Sequence, residues 1–145
     1  MSEYSIHDIV QEPGVAYSVS KQATEIELIE MARKGIAKKA LKRIAGLSGL
    51  SISELSKLLP VSLRTIQRYS DDDLLDSAVS EHALQIAEVL SHGTRVFSSL
   101  ESFQRWLHAP SVALGHQTPV SFFDTGFGTR MVSDLLGRIE HGVYS

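Results

Sequence analysis

Apolar residues recur at helical spacing through most of this chain, and polar or small residues mark the breaks. Met1 to Ser20 is mixed and polar, with a turn signal at Pro13-Gly14, and reads as an irregular lead-in. Thr24 followed by Glu27 fits a capping box, in which each side chain satisfies a free amide at a helix start. Ile26, Ile29 and Ala32 or Arg33 then repeat on one face, and Gly35 closes the helix as a left-handed cap. Ile36, Ala37, Ala40, Leu41 and Ile44 form the apolar stripe of a second helix. Lys38, Lys39, Lys42 and Arg43 lie between those positions, and Gly46 and Gly49 punctuate its end.

A short helix is expected from about Ser53 to Leu59, then a tight turn, then a helix from about Leu63 with Ser62 as its cap. Asp71-Asp72-Asp73 interrupts the pattern and reads as a loop. Ser80 with Glu81 opens a long helix through about Ser98. Its apolar face, Ala83, Leu84, Ile86, Ala87, Val89, Leu90, Thr94 and Phe97, is wider than one partner helix covers. Ser99 to Leu107 is a further helix, with Phe103, Trp106 and Leu107 as anchors and Pro110 as its stop. Thr118-Pro119 is a cap followed by proline at the first helical position, so Val120 to Phe123 is a short helix. Thr125 or Thr129 caps a last helix running to about His141. Strand signals are weak throughout, and the fold class is all-α.

Two helices joined by a tight turn make a helix-turn-helix when the small and apolar positions fall correctly. Leu55, Leu59, Val61 and Ile66 supply the apolar contacts, Ser56 the small residue at the crossing, and Tyr69 the far end. The second helix then turns Ser62, Arg64, Thr65, Gln67 and Arg68 outward. Arg suits guanine, Gln suits adenine, and Ser or Thr suits phosphate or either base. With Lys38 and Lys42 these are the candidate DNA-binding residues, and operator DNA the candidate partner. Pro60 stands where the turn usually has glycine. Proline cannot take a left-handed conformation, so the turn must be built differently. A core helical hairpin with merely solvated arginines is the competing reading.

Charge sharpens this division. The net charge of -3 over 145 residues is the sum of two unlike parts. Lys21 to Ser70 holds ten Lys or Arg against four Glu, and the remainder four Arg against thirteen Asp or Glu. Basic surface recruits phosphate backbones, and the acidic part needs another task. The length suits one domain, or two small ones packed together. The chain has no cysteine, which excludes a disulfide framework, a thiolate zinc site and a cysteine nucleophile. No apolar run approaches the roughly 20 residues that span a bilayer, and the N-terminus lacks a basic-then-apolar export signal. A cytoplasmic location and no membrane partner are expected.

The C-terminal half carries a specific pattern: Ala109-Pro110-Ser111-Val112-Ala113-Leu114-Gly115, then Thr118-Pro119, then Asp124-Thr125, then Leu135-Leu136-Gly137-Arg138-Ile139-Glu140-His141-Gly142-Val143-Tyr144-Ser145. It resembles the antitoxins that join an Xre-like helix-turn-helix to a ParS/MbcA-type toxin-binding domain. Arg33-Lys34-Gly35-Ile36 and Ser62 to Arg68 resemble the N-terminal half of the same family. The resemblance covers about residues 24 to 145. It implies a non-enzymatic, cofactor-free type II antitoxin that neutralises a RES-domain toxin, one that consumes NAD or transfers ADP-ribose, and that represses its own operon. It further implies that the C-terminal segment covers the toxin's NAD site. The residues suit that role. Arg138 offers a planar fork for carboxylates, Glu140 can pair with cations that would hold NAD phosphates, and His141, Val143, Tyr144 and the carboxylate of Ser145 extend the reach. The chain then divides into a lead-in (1–20), a helix-turn-helix domain (21–79) and a helical dimerisation and toxin-binding domain (80–145). Surplus apolar area, with Leu90, Phe97, Phe103 and Trp106 as dimer or core anchors, leads to an expected homodimer.

Asp124-Thr125-Gly126 matches the aspartic-protease tripeptide, but it lies between helical patterns, where a cap is the simpler role. The six His show no i, i+4 pair, and no metal is assigned. The rival class is a free-standing helix-turn-helix regulator whose C-terminal half dimerises or binds a ligand. A helical adaptor that binds no nucleic acid is the third reading.

Overall fold

Short polar side chains start nearly every helix. Ser5, Thr24, Ser51, Ser62, Asp76, Ser99 and Thr125 each accept a backbone N–H from three residues on, at 2.9–3.2 Å. Thr24 with Glu27 and Ser51 with Glu54 complete the reciprocal capping box. The computed structural model describes residues 4–10 and 24–142. Among them run α1 (Ile6–Val10), α2 (Glu25–Lys34), α3 (Lys38–Ser48), α4 (Ile52–Ser56), α5 (Leu63–Arg68), α6 (Ser77–Val96), α7 (Leu100–Leu107) and α8 (Gly126–Glu140). Short 3-10 turns lie at Val112–Leu114 and Pro119–Phe122. No strand occurs among the described residues, only isolated bridges between Ala37 and Leu74 and between Ser111 and Gln117. The fold is all-α, as the periodicity requires.

The long helix α6 is the axis of the molecule. It packs against α1, α2, α3, α7 and α8. Its wide apolar face is therefore closed within the chain: Ala83, Ile86, Ala87 and Leu90 are fully buried. Phe103 from α7 is also fully buried, and its ring lies 5.6 Å from that of Phe97 and 6.2 Å from that of Trp106. Gly93 makes this possible, since a Cβ there would come within 2.1 Å of the Phe103 ring. Leu90 and Phe103 are thus core side chains, Phe97 and Trp106 are half-buried against that core, and the homodimer loses most of the surplus area that argued for it. The apolar side chains left outside are elsewhere, among them Ile26, Ile29, Phe127 and Met131.

Several local expectations change. The lead-in is not irregular throughout: α1 places Ile6, Ile9 and Val10 in the core. Ser5 and Asp8 cap it reciprocally, a local signal that the mixed composition hides. Pro13-Gly14 lies outside the described residues. On α2 the inward face is Leu28, Met31 and Ala32, while Ile26 and Ile29 are 68% and 48% exposed. Gly35 does end α2, but with φ 94° and ψ 142° rather than as a left-handed cap. Only glycine tolerates that region, and the Leu75 carbonyl would lie 2.3 Å from any Cβ there. Gly46 sits inside α3, and Gly49 is its left-handed cap. The helix before the turn spans Ile52–Ser56 and relaxes into turns before Pro60. The long helix begins at Ser77 under an Asp76 cap, not at Ser80. Ser80 is instead buried, and its hydroxyl accepts the Ile36 N–H at 3.0 Å. Thr118 makes no side-chain cap, and the turn it starts is 3-10.

Helix α3 has no side-chain cap at Ala37, so its first amides need other partners. The Asp71–Asp73 loop supplies them: Lys38 N–H donates to the Asp73 carbonyl and Lys39 N–H to the Asp71 carbonyl, both at 3.0 Å. The acidic loop is thereby fixed beside the lysines of α3.

Candidate functional site

Two exposed faces carry the chemistry, one on α5 and one at the end of α8. Helix α5 is anchored by Ile66, which is 1% exposed, against a core that includes Leu55 and Leu59 of the preceding helix and turn. Ser56 is buried at the crossing, its hydroxyl donating to the Ser53 carbonyl at 2.7 Å. Val61 and Tyr69 pack against the same core from its edges. The helix-turn-helix contacts expected from the sequence are therefore present. Pro60 is accommodated without any left-handed residue, because no position from Lys57 to Ser62 has a positive φ.

Packing Ile66 inward forces Arg64, Gln67 and Arg68 out into solvent. None of these three side chains makes a hydrogen bond or ion pair among the described residues. Ser62 is also exposed but is occupied: it caps α5 through the Thr65 N–H and donates its own hydroxyl proton to Thr65 Oγ1 at 2.9 Å. Thr65 is only half-exposed. The outward face of α5 is therefore an Arg-Gln-Arg surface with Ser62 and Thr65 as its scaffold.

The lysines expected beside it are engaged. Lys38 Nζ donates to the Tyr69 carbonyl at 2.7 Å, and Lys42 Nζ pairs with Asp71 at 2.7 Å. Lys39 pairs with Asp72 at 2.7 Å. Arg43 turns inward, donating from Nε to the Ile9 carbonyl at 2.7 Å, where it closes the end of α1. Partial burial lowers the pKa of that guanidinium. The Lys42 ammonium, and behind it Lys38 and Lys39, hold the Asp71 carboxyl below its ordinary range. The excess of basic residues in this third of the sequence is thus not one free basic face. All four cations on α3 are used within the chain, and sequence spacing gave no sign of it.

The second face lies on α8. Val132, Leu135 and Leu136 are buried and point the opposite side outward. Phe127, Met131, Asp134 and Arg138 follow at helical spacing along that outer side, with Phe127 82% exposed and the Arg130 guanidinium 5.9 Å from its ring centre. Phe127 was not singled out from the sequence, since one exposed aromatic in the first turn of a helix leaves no periodic signal. Of the two caps expected, Thr125 is the one that forms, accepting the Gly128 N–H at 2.9 Å. This is also the role of the aspartic-protease-like tripeptide.

The last turn of α8 presents Arg138, Glu140 and His141 to solvent. Glu140 is tied back to α6 through His92 Nε2 at 3.2 Å, while His92 Nδ1 meets Ser133 Oγ at 3.2 Å. Gly142 has φ +74°, so the backbone leaves the helix there as a left-handed cap. Val143, Tyr144 and Ser145 lie outside the described residues. A polar groove of about 350 Å³ runs between α6 and α8, lined by Glu88, His92, Arg95, Arg130 and Asp134 among others. Burial, reinforced by Glu25, raises the pKa of Glu88. No group of three or more metal-ligating side chains occurs among the described residues, and no helix there is long and apolar enough to cross a membrane.

Comparison with known proteins bears on both halves of the chain. Residues 27–88 match the antitoxin Xre-like helix-turn-helix domain, and residues 92–142 match the antitoxin Xre/MbcA/ParS C-terminal toxin-binding domain. Both matches meet inside α6, the helix that the two parts share. The chain is 26% identical to the Prs ADP-ribosylating antitoxin of Sphingobium sp. strain YBL2, over 92% of its own length and 90% of the relative's. It is 25% identical to the antitoxin Xre of Yersinia enterocolitica over 81% of each. It is likewise 25% identical to the antitoxin Xre of Photorhabdus laumondii over 77% of each.

Proposed function

Because the chain belongs to the Xre/MbcA/ParS antitoxins, a non-catalytic family of toxin–antitoxin systems with a helix-turn-helix, we propose that it neutralises a RES-type toxin with the end of α8 and represses its own operon with α5. One observation carries the first half. The matched toxin-binding domain ends on a helix whose last turn projects Arg138, Glu140 and His141 and then breaks outward at Gly142. The exposed Arg138 fork suits carboxylate or phosphate groups, and the Glu140 carboxylate, once released from His92, suits the cations that would hold NAD phosphates. The name of the Sphingobium relative supports the same chemistry, since it places that antitoxin with ADP-ribosylation.

The contact continues up α8. Phe127 and Met131 lie on the stripe that leads to Arg138 and supply the apolar anchor that tight interfaces use. For the second half, Arg64, Gln67 and Arg68 enter the major groove. Lys38 and Lys42 are the weaker members of the DNA-binding set because their ammonium groups are already paired. An operator with two half-sites asks for a two-fold dimer, and the exposed Ile26 and Ile29 of α2 are the apolar surface left for it.

The test is co-expression with the protein encoded beside this chain. The full chain should restore growth and co-purify with that protein. Arg138→Ala combined with Glu140→Ala should lose at least about tenfold in affinity, from one charge-assisted contact of about 1.5–3 kcal/mol or more. Full neutralisation by the double variant would rule out the α8 end as the blocking element.

A further inference from the structure

We infer that Asp71 and Asp72 are specificity-determining residues of the DNA-binding face: they hold Lys39 and Lys42 away from DNA phosphates, so that recognition is left to α5. This rests on the DNA-binding reading of α5 given above. The placement is direct. A groove beside α5 is lined by Lys38, Lys42, Ile66 and Gln67, so the lysine that Asp71 holds shares a wall with a base-reading candidate. Lys42 to Asp71 and Lys39 to Asp72 are both 2.7 Å.

The carboxylates are not needed for the fold of the loop. What α3 takes from the loop are the backbone carbonyls of Asp71 and Asp73, which any residue provides. Asp73 has a separate local task, accepting the Ser70 N–H at 2.7 Å. Asp72 is 85% exposed and Asp71 57%, and ion pairs this exposed add little to stability. What they change is the charge offered to a partner. Non-specific DNA binding is set by the number of phosphates that lysines and arginines neutralise. A paired lysine must first give up its carboxylate, and that carboxylate then stays beside the phosphate it repels. The two aspartates therefore suppress sequence-independent binding while leaving Arg64, Gln67 and Arg68 untouched. A high ratio of specific to non-specific binding follows, which is the quantity that decides occupancy of one site among many.

The experiment compares the full chain with Asp71→Asn/Asp72→Asn on two duplexes: the region upstream of its own coding sequence, and DNA of random sequence. Affinity is measured by fluorescence anisotropy over a range of salt. A phosphate contact changes the logarithmic salt slope by about 0.9, which is about fivefold in affinity per released lysine near physiological salt. The variant should bind random DNA up to about 25-fold more tightly, with a slope steeper by about two, and should discriminate less between the duplexes. Adding Lys39→Ala and Lys42→Ala should reverse the gain. Unchanged affinity for random DNA would overturn the inference, as would a gain that survives loss of both lysines. If the parent binds neither duplex, the DNA-binding reading itself falls and this inference falls with it. If the parent binds its upstream region and the variant gains nothing, only this inference falls. Circular dichroism and the single Asp72→Asn variant, at the more exposed position, separate altered binding from altered folding.

Discussion

Gly128→Ala is expected to lower stability by about 3 kcal/mol, at the upper end of what forced overpacking costs. The site is the first turn of α8. A Cβ on Gly128 would lie 1.9 Å from the Phe122 carbonyl oxygen and 2.9 Å from its carbon. Those atoms are backbone of the Pro119–Phe122 turn, so no rotamer change relieves the contact. Two fixed neighbours limit any shift. Phe123, next in the chain, is fully buried, and its carbonyl lies 2.6 Å from His82 Nε2 on α6. Thr125 caps α8 through the Gly128 N–H at 2.9 Å. Moving the turn away would break both. For a chain of this size the melting temperature should fall by roughly 10 °C. Gly137→Ala is the control on the same helix. Nothing lies within 4 Å of its Cβ, so only helix propensity changes, and stability should rise by up to about 1 kcal/mol. Equal melting temperatures for the two variants would show that the close approach of Phe122 to α8 is not maintained in solution.

Arg64→Ala with Arg68→Ala is expected to reduce binding to the upstream region by about a hundredfold or more. Each bidentate arginine contact to guanine is worth about 1–3 kcal/mol, and a phosphate contact also steepens the salt dependence. The two side chains lie one turn apart on α5 and make no ion pair among the described residues, so their loss leaves no buried partner unsatisfied. The melting temperature should therefore hardly change. The single variants assign the roles. A base-reading arginine, once removed, relaxes the sequence preference at one position. A phosphate-binding one weakens all sequences alike and lowers the salt slope by about one. Lys42→Ala should have little effect, because its ammonium already belongs to Asp71. A gel shift unchanged by the double arginine variant would remove α5 from the interface.

These contrasts show which features a sequence exposes and which it conceals. Caps and helical stripes are local, and they were readable: Thr24 with Glu27, Ser62 before Leu63, and Thr125 before α8 all act as their spacing requires. The outward set on α5 was readable for the same reason, since burying Ile66 fixes where Arg64, Gln67 and Arg68 point. Partnerships across the chain were not readable. Lys42 meets Asp71 across 29 positions and Lys39 meets Asp72 across 33, and no periodicity relates them. Charge counted along the segment ending at Ser70 stops just before the carboxylates that neutralise it. The wide face of α6 was legible as apolar, but its partners were not. With α1, α2, α3, α7 and α8 all packed on it, surplus area in the sequence became an internal core. Phe127 was not singled out, and the need for Gly128, which lets the turn at Phe122 approach, was equally invisible in the local pattern.

The most direct measurement concerns the end of α8. The neighbouring toxin is purified, its NAD consumption is followed, and the chain is added either whole or cut before Arg138. The whole chain should stop NAD consumption at stoichiometric amounts. The shortened chain should still fold, because the buried anchors Val132, Leu135 and Leu136 remain, yet it should leave the toxin active. Full inhibition by the shortened chain would contradict the account, because the blocking element would then lie elsewhere in the toxin-binding domain.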